Sequence, residues 1–245
     1  MSTESTANHL GQRVGVPLPG WRAPARPEAR VMTGSHVRLE PLDAVTHGGG
    51  LFAALSADQT GRMWTYLPYG PFAAAAEYRT WLDAQAGSQD PLFFALVDVG
   101  TGDPIGVAAY LRIDPEVGSI EVGHLQYSPR LQRTVAATEA MFLMMSQAFA
   151  LGYRRYEWKC DALNTPSREA ALRLGFHYEG LFRQARVVKG RNRDTAWYSV
   201  IDAEWPALRR AFERWLAPAN FDAQGRQRER LSALTAAAVQ PLRAG

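Results

Sequence analysis

The stretch with the clearest chemical potential runs from Ser128 to Gly152 and reads as a tight turn that opens a long apolar helix. Its first helical turn, around 134–138, carries small side chains apart from Val135, and Arg130 and Arg133 come just before it. A helix start leaves backbone N–H groups without partners and bears partial positive charge, so it attracts phosphate. Taken alone, the segment slightly favours a buried helix with an ordinary cap, so a phosphate site depends on what surrounds it.

Three other positions carry side chains that take part in acid–base or nucleophilic chemistry. Glu121 and His124 are three residues apart on a predicted strand, so strand alternation predicts that they point to opposite faces. Cys160 is the only cysteine, which excludes an intramolecular disulfide and any multi-cysteine metal site. A free cysteine is commonly a small buried hydrophobe, so packing is favoured over a nucleophilic role and no metal site is expected.

The composition indicates one folded domain with a sizeable core. The chain has 245 residues, of which 47% are hydrophobic and 11% aromatic. A net charge of +3 is too small to argue for nucleic acid, but it permits an anionic ligand at a local basic cluster. The sequence has no run of eighteen apolar residues, and its first ten residues lack the layout of a signal peptide, so we expect a cytoplasmic protein.

The hydrophobic pattern predicts the order β-α-α-β-β-β-α-β-α-β-β. Residues 1–30 are rich in proline and arginine and predict either a surface-wrapping arm, with Trp21 as an anchor, or a flexible leader. The strand–helix–strand order around the long helix predicts a parallel strand pair. The next helix should have Thr165 as its N-cap, Pro166 at its first position and Gly175 just past its end. The predicted strands are 36–42, 91–99, 104–113, 119–128, 153–161, 176–189 and 194–201, and the remaining helices are 47–57, 73–86 and 205–216.

This order resembles the GNAT superfamily of acyl-CoA-dependent N-acetyltransferases over residues 31–205. Within it, the sequence is most similar to the RimJ/RimL type, which acetylates the N-terminal α-amine of ribosomal proteins. The resemblance is carried by EVGHLQYSP, LQRTVAATEA, the N-x-x-S of Asn164 to Ser167 with LGF after it, and Glu179-Gly180. It implies an α+β fold with a mixed, mostly antiparallel sheet, a splayed parallel strand pair and helices on both faces. The chain then divides into an arm (1–30), the acetyltransferase domain (31–205) and a helical tail (206–245).

The resemblance implies a site for acetyl-CoA at the start of the long helix. In the family, a Q/R-x-x-G-x-G/A segment presents backbone N–H groups to the coenzyme pyrophosphate; here Gln132 and Ala137 fit, and Val135 stands where the first glycine is usual. If Val135 takes a negative φ it can point away and the amides still serve, which we favour; if the glycine conformation is required, binding is weakened. The implied coenzyme-binding residues are Gln126, Tyr127, Gln132, Arg133, Thr134, Val135, Ala136, Ala137, Thr138, Asn164 and Arg168.

The resemblance also implies the catalytic groups. A strand N–H near Gln126 or Tyr127 would polarise the thioester carbonyl. Ser167 would protonate the thiolate, because Ala171 stands where many relatives have a tyrosine; alternatively Ser167 only caps its helix. Glu121 is preferred over His124 as the general base, although a strand glutamate is usually just solvated.

The acceptor side involves two further segments. The loop 62–72 is aromatic and is either pinned to the core or forms one wall of an acceptor pocket, with Trp64, Tyr66, Tyr69 and His124 as candidate substrate contacts. The basic hairpin either favours an acidic acceptor or is a solvated turn; its basic residues are Arg183, Arg186, Lys189, Arg191 and Arg193.

The expected reaction is direct transfer of an acetyl group from acetyl-CoA to a primary amine. An α-amine, with a pKa of about 7.7 to 8, is partly neutral at pH 7, whereas a lysine amine near 10.4 must give up a proton at a cost of roughly 4 kcal/mol at pH 7.5. This favours a protein N-terminus as the acceptor. The alternatives are a small-molecule amine, such as an antibiotic or polyamine, and a non-catalytic acyl-CoA sensor. Neither a nucleic acid nor a membrane is an expected partner, and both a monomer and a homodimer are compatible with the sequence.

Overall fold

The computed structural model describes residues 5–243. Their strands are β1 (Ser5–Ala7), β2 (Arg13–Gly15), β3 (Met32–Thr33), β4 (Val37–Pro41), β5 (Leu92–Asp98), β6 (Pro104–Asp114), β7 (Ser119–Tyr127), β8 (Arg155–Asp161), β9 (His177–Val188) and β10 (Arg191–Ile201). Their α-helices are α1 (Ala44–Ser56), α2 (Ala75–Gln85), α3 (Val135–Ala150), α4 (Thr165–Arg173), α5 (Trp205–Leu216) and α6 (Leu231–Arg243). No helix in this part of the chain is both long and apolar enough to cross a bilayer.

The main sheet has eight strands in the order β3-β4-β5-β6-β7-β8-β10-β9. Neighbouring strands are antiparallel except β7 and β8, which are parallel, as the strand–helix–strand order predicts. The parallel pairing runs from Ser119–Arg155 to Val122–Trp158 and then stops, although both strands continue. The predicted fold, including the splayed parallel pair, is therefore confirmed.

The two faces of the sheet carry separate hydrophobic clusters. The cluster on one face includes Met144 of α3, Leu174 just after α4 and Phe212 of α5, and we call this side the α3 face. The cluster on the other includes Leu51 of α1 and Leu82 of α2, and we call this side the α1 face. The predicted helical tail therefore packs into the core, where the rings of Phe142 and Phe212 stack 5.5 Å apart.

The helix caps differ in two places from the sequence prediction. The N-cap of α4 is Asn164, not Thr165, because the Asn164 side-chain oxygen accepts the Ser167 N–H at 3.2 Å. Helix α1 starts at Ala44, three residues before the predicted start, because Asp43 accepts the Thr46 N–H at 2.6 Å. Gly175 follows α4 with a φ of +90°, as expected of a residue just past a helix end.

The N-terminal segment lies against the body of the protein. Pro24 and Pro27 are buried, and Arg26 donates a hydrogen bond to the Ile113 carbonyl at 3.0 Å. Trp21 lies against Gly118 but keeps 39% of its surface exposed, so the prolines are more deeply seated than the predicted anchor. Strands β1 and β2 form a separate two-stranded hairpin.

A buried carboxylate fixes the position of α3. Glu139, on the second turn of the helix, accepts the N–H groups of Ser35 (2.8 Å), His36 (2.7 Å) and Val37 (3.0 Å). A side chain at Gly34 would collide with this carboxylate, since a Cβ there would lie 2.4 Å from its Cδ. Charge-assisted hydrogen bonds of this kind are stronger than neutral ones. The start of β4 therefore holds α3, and with it the first helical turn, in a defined place.

We expect Glu139→Gln to lower the free energy of unfolding by about 2 kcal/mol, because an amide carries no charge and directs an NH₂ group at backbone donors. Urea denaturation measures the difference. Glu169→Gln is the control: its side chain is exposed on α4 without a hydrogen-bond partner in the described residues, so its effect should stay within about 0.5 kcal/mol. Equal effects of the two variants would contradict the anchoring role.

Candidate active site

The central feature of the site is the opening between β7 and β8 beyond Val122 and Trp158. Ser128 donates its N–H to the Ile105 carbonyl on the β6 side, so alternation directs the N–H of Gln126 toward β6 and that of Tyr127 toward the opening. The Tyr127 carbonyl, on the same edge, accepts a hydrogen bond from Gln132 Nε2 at 2.7 Å. Of the two predicted strand amides, Tyr127 is thus the one whose N–H faces the opening.

The start of α3 lies next to this opening and presents free donors. Thr134 is the N-cap, and its hydroxyl accepts the Ala137 N–H at 3.2 Å. The N–H groups of Val135 and Ala136 have no partner within residues 5–243. The positive φ of this turn, +61°, belongs to Arg133 and not to Val135, which is the first helical residue. The conformation that glycine would supply is therefore not required at position 135.

The basic residues around the helix start differ in how far their charge is already balanced. Arg130 is paired with Asp103 at 2.9 Å, so its predicted attraction for a phosphate is largely cancelled. Arg133 is exposed and forms no ion pair in the described part of the chain. Arg173, at the end of α4, is partly buried and donates from both terminal nitrogens to the Thr138 hydroxyl at 3.2 Å. Burial lowers the pKa of the Arg173 guanidinium, which has no acidic partner among the described residues.

His124 lies on the same face as Glu121, which corrects the sequence prediction. Gly123 pairs with Ala109 and Gln126 with Val107, so His124 and Leu125 together face one residue of β6 and form a β-bulge. The φ of His124 is +53°, and this kink shifts the strand alternation by one residue. The His124 ring consequently stacks on Tyr69 and meets Phe93 on the α1 face.

A chain of side-chain hydrogen bonds fixes the orientation of His124. Tyr78 donates to Gln126 Oε1 at 2.9 Å, and Gln126 Nε2 donates to the Tyr69 hydroxyl at 3.2 Å. The Tyr69 oxygen lies 2.9 Å from His124 Nδ1, and because it already accepts from Gln126 its own proton is available for this nitrogen. His124 Nε2 then carries the ring proton. Burial, together with the charge of Arg112, lowers the pKa of His124 to about 4, so the ring is neutral at pH 7.

Glu121 belongs to a row of ion pairs that crosses the α1 face, which we call the ion ladder. Its carboxylate is buried and accepts from Arg112 Nε at 2.6 Å, with a second bond from Arg112 Nη2 to its other oxygen. Lys159 Nζ adds a contact at 3.0 Å. Both oxygens are thus engaged by cationic donors, so the carboxylate is held in a network of ion pairs. The ladder continues through Lys159–Glu157 (2.6 Å), Glu157–Arg155 (2.6 Å) and Arg155–Glu179 (2.5 Å).

The α4 residues predicted to act on the coenzyme are held by internal bonds. Ser167 accepts a hydrogen bond from Trp158 Nε1 at 3.0 Å and lies beside the Cys160 thiol. Burial raises the pKa of that thiol, in keeping with a packing role for Cys160. Arg168 donates to the Tyr198 hydroxyl at 3.1 Å and to the Ala162 carbonyl at 3.2 Å.

The loop 62–72 bridges the two sides of the opening. Trp64 is buried and packs against Tyr69 and Phe72, so this part of the loop is pinned to the core. The Tyr66 hydroxyl donates to the Leu163 carbonyl, just after β8, at 3.1 Å. Lys189, at the tip of the β9–β10 hairpin, donates to the Trp64 carbonyl at 2.8 Å. The loop is therefore pinned to the core and joined to the ends of β8 and of the hairpin, and its role as one wall of an acceptor pocket stays a prediction.

Sequence reasoning missed Arg112, Lys159, Tyr78 and Arg173. Strand alternation could have placed Lys159 on the face of Glu121. Glu121 pairs with Glu157, and Lys159 follows Glu157 by two residues, so all three side chains point to the same face. Arg112 takes a positive φ of +47° near the end of β6, which no pattern of residue types signals. Tyr78 reaches the site from α2 across the α1 face, a contact that depends on how the helix packs.

Comparison with known proteins gives consistent matches. The family model described as an acetyltransferase (GNAT) domain matches residues 36–177. The crystal structure of a GCN5-related N-acetyltransferase from Brucella melitensis is 51% identical, with a TM-score of 0.87, and the match covers 89% of this chain and 99% of that chain.

Two relatives match over shorter stretches. The uncharacterized N-acetyltransferase p20 of Bacillus licheniformis is 30% identical over 113 residues, which are 46% of this chain and 63% of that protein. The ribosomal-protein-serine acetyltransferase of Escherichia coli (strain K12) is 33% identical over 103 residues, which are 41% of this chain and 56% of that protein. The chain thus spans less than two thirds of the length of either relative.

The low pKa of His124 predicts that part of the folding stability is lost in acid. An unfolded histidine takes up its proton near pH 6.5 and the folded one at about 4, so the unfolded state binds more protons between these values. We expect the free energy of unfolding to fall as the pH drops from 6.5 to 4, with at most about 3 kcal/mol from this residue. Denaturation across this range measures it, with His124→Phe as the non-titrating control. An NMR titration of the His124 ring with a midpoint near 6.5 would refute the assignment.

Proposed function

Because the chain belongs to the GNAT acetyltransferase family, which uses acetyl-CoA, we propose that it transfers an acetyl group from acetyl-CoA to a primary amine, most favourably a protein N-terminal α-amine. The observation that carries this proposal is the opening between β7 and β8 beside an α3 start with free N–H groups. The opening has one strand edge to receive an amide-containing chain and one helix end to receive phosphate.

The residues at the opening suit the chemistry of coenzyme A. The N–H groups of Val135 and Ala136, with the guanidinium groups of Arg133 and Arg173, would hold the negatively charged diphosphate. The Tyr127 hydroxyl is buried without a partner in the described residues, and the Tyr127 N–H faces the opening. Both would serve the peptide-like part of the coenzyme. The bound coenzyme supplies the thioester whose carbonyl carbon the amine attacks.

The chain's own residues have three tasks in the proposed reaction. A backbone N–H of β7, from Tyr127 or from the bulge at His124 and Leu125, stabilises the negative charge that develops on the carbonyl oxygen. Ser167 delivers a proton to the departing sulfur and regains one, through water, from the amine that has attacked; its oxygen accepts from Trp158, and its hydrogen turns from the Cys160 sulfur to the departing one. Glu121 and Lys159 hold the floor of the acceptor side through the ion ladder.

The side chains on the acceptor side favour an amine that loses its proton without a dedicated general base. Both oxygens of Glu121 are occupied, and the Tyr69 hydroxyl engages His124 Nδ1, so neither side chain offers a free general base. An N-terminal α-amine is already partly neutral near pH 7.5, whereas a lysine amine is not. The relative from E. coli is named a ribosomal-protein-serine acetyltransferase, which supports the same acceptor class. Small-molecule amines are the alternative that an acceptor panel separates.

We expect Arg133→Gln to weaken acetyl-CoA binding about two- to fivefold at low salt, because its unpaired charge lies beside the helix start. Arg130→Gln should weaken it less, because the Arg130 charge is already paired with Asp103. Isothermal titration calorimetry at two salt concentrations measures both, and added salt should shrink the difference. A larger loss from Arg130→Gln would contradict this account of the helix start.

We expect Ser167→Ala to lower kcat at least tenfold while leaving acetyl-CoA binding unchanged, because it removes the proposed proton donor. Thr165→Ala is the matched control, since Thr165 lies exposed on the same helical turn and does not cap it. Thiol release, with mass spectrometry of a panel of N-terminal peptides and small amines, reports rate and acceptor together. Acetyl-CoA binding without thiol release from any amine would favour a sensor, and full activity of Ser167→Ala would remove the serine from the mechanism.

A further inference from the structure

Three alternate residues of β10 carry buried polar atoms that nothing in the described chain satisfies. They are Arg193 Nε, Thr195 Oγ1 and Trp197 Nε1. Alternation puts all three side chains on one face of the sheet. That face is the α1 face, because Lys159 of the ion ladder lies with its Nζ 3.9 Å from the centre of a Trp197 ring. We call these three residues the donor row.

The donor row runs beside the mouth of the opening. Thr195 pairs with Asp161, the last residue of β8. Trp197 therefore lies beside the part of β8 that is no longer paired with β7, and Arg193 lies beyond the end of β8. The tip of the same hairpin is joined to the aromatic loop by the bond from Lys189 to the Trp64 carbonyl. An acceptor that reaches the opening from the α1 face therefore passes the donor row.

The charges of this region leave a positive surplus. The three acids of the ion ladder, Glu121, Glu157 and Glu179, are matched by its three bases, Arg112, Lys159 and Arg155. Arg193 lies directly opposite Arg186 across the hairpin, and neither forms an ion pair within the described residues.

Like charges placed opposite each other destabilise a strand pair, so this arrangement calls for an anion. Burial lowers the pKa of the Arg193 guanidinium; the charge of Asp161 opposes this shift, and the charges of Arg186 and Arg112 add to it. A buried N–H of arginine or tryptophan can only donate, so what it lacks is an acceptor oxygen.

We propose that the donor row binds a carboxylate of the acceptor, so that the preferred acceptor is a protein N-terminus with Asp or Glu among its first residues. This inference rests on the proposed function for the position of the amine. The row itself favours an acidic peptide: its two obligate donors and one hydroxyl are about 7 Å apart along the strand, a spacing that suits successive acceptor oxygens of an extended peptide, and Arg193, with Arg186 opposite, suits a carboxylate among them.

The test compares hexapeptides that share an N-terminal serine and differ in the next two residues, which are Asp and Glu in one peptide and Asn and Gln in the other. We expect kcat/KM for the acidic peptide to exceed that for the amide peptide about tenfold, and Arg193→Gln to remove most of this preference while changing the amide peptide little. Trp197→Phe, which keeps the ring over Lys159 and removes only the N–H, should reduce the preference by a smaller factor. Arg210→Gln, an exposed change on α5, is the control and should retain the preference.

A binding measurement separates failure of this inference from failure of the proposed function. N-acetylated forms of the two peptides need no turnover, and their affinities can be measured by fluorescence anisotropy. Tighter binding of the acidic form, lost in Arg193→Gln, would support the donor row even if no peptide were acetylated. Equal binding of both forms, or equal loss of both in Arg193→Gln, would overturn the inference whatever the enzyme acetylates. Preferential binding of a free amino acid or of a phosphopeptide over the acidic peptide would also overturn it.

Discussion

The structure depends on one interruption: the parallel pairing of β7 and β8 ends at Val122 and Trp158 while both strands continue. Strands inside a sheet normally pair their N–H and C=O groups with both neighbours, so an internal opening leaves unpaired backbone that needs another partner. Two features maintain the opening. The bulge at His124 kinks β7, and α3 is fixed above it by the bonds of Glu139 to the start of β4.

The same interruption accounts for the buried charge on the α1 face. Glu121 and Lys159 lie at the point where the strands separate, and a carboxylate buried there without partners would be costly. Arg112 and Lys159 satisfy it, and Glu157, Arg155 and Glu179 extend the compensation across β8 to β9. The ladder is neutral by itself, so any charge that recognises an acceptor must come from residues outside it.

The sequence predicts the fold better than the site. The fold follows from the periodic spacing of apolar residues, whereas the site depends on residues that depart from this spacing. Alternating apolar residues predict the strands from β4 onward, and the long helix between two strands predicts the parallel pair. The bulge breaks the alternation at His124 without a glycine or proline to signal it, and so the predicted opposite faces of His124 and Glu121 are wrong. Arg112 and Tyr78, which bond to Glu121 and Gln126, lie on β6 and α2, where only tertiary packing decides which side chains meet.

Position 135 departs from the family motif without requiring the backbone conformation of glycine. A glycine is needed where φ is positive or where a Cβ would block the ligand, and here the positive φ belongs to Arg133. The left-handed backbone conformation of Arg133 is strained, and the turn places this strain on a residue whose side chain is polar and exposed. Val135 then begins the helix in an ordinary helical conformation. The free N–H groups come from the helix end and not from the residue type. A valine at that end therefore retains the donors, provided that its side chain points away from them, and its packing against the core cluster on the α3 face satisfies this condition.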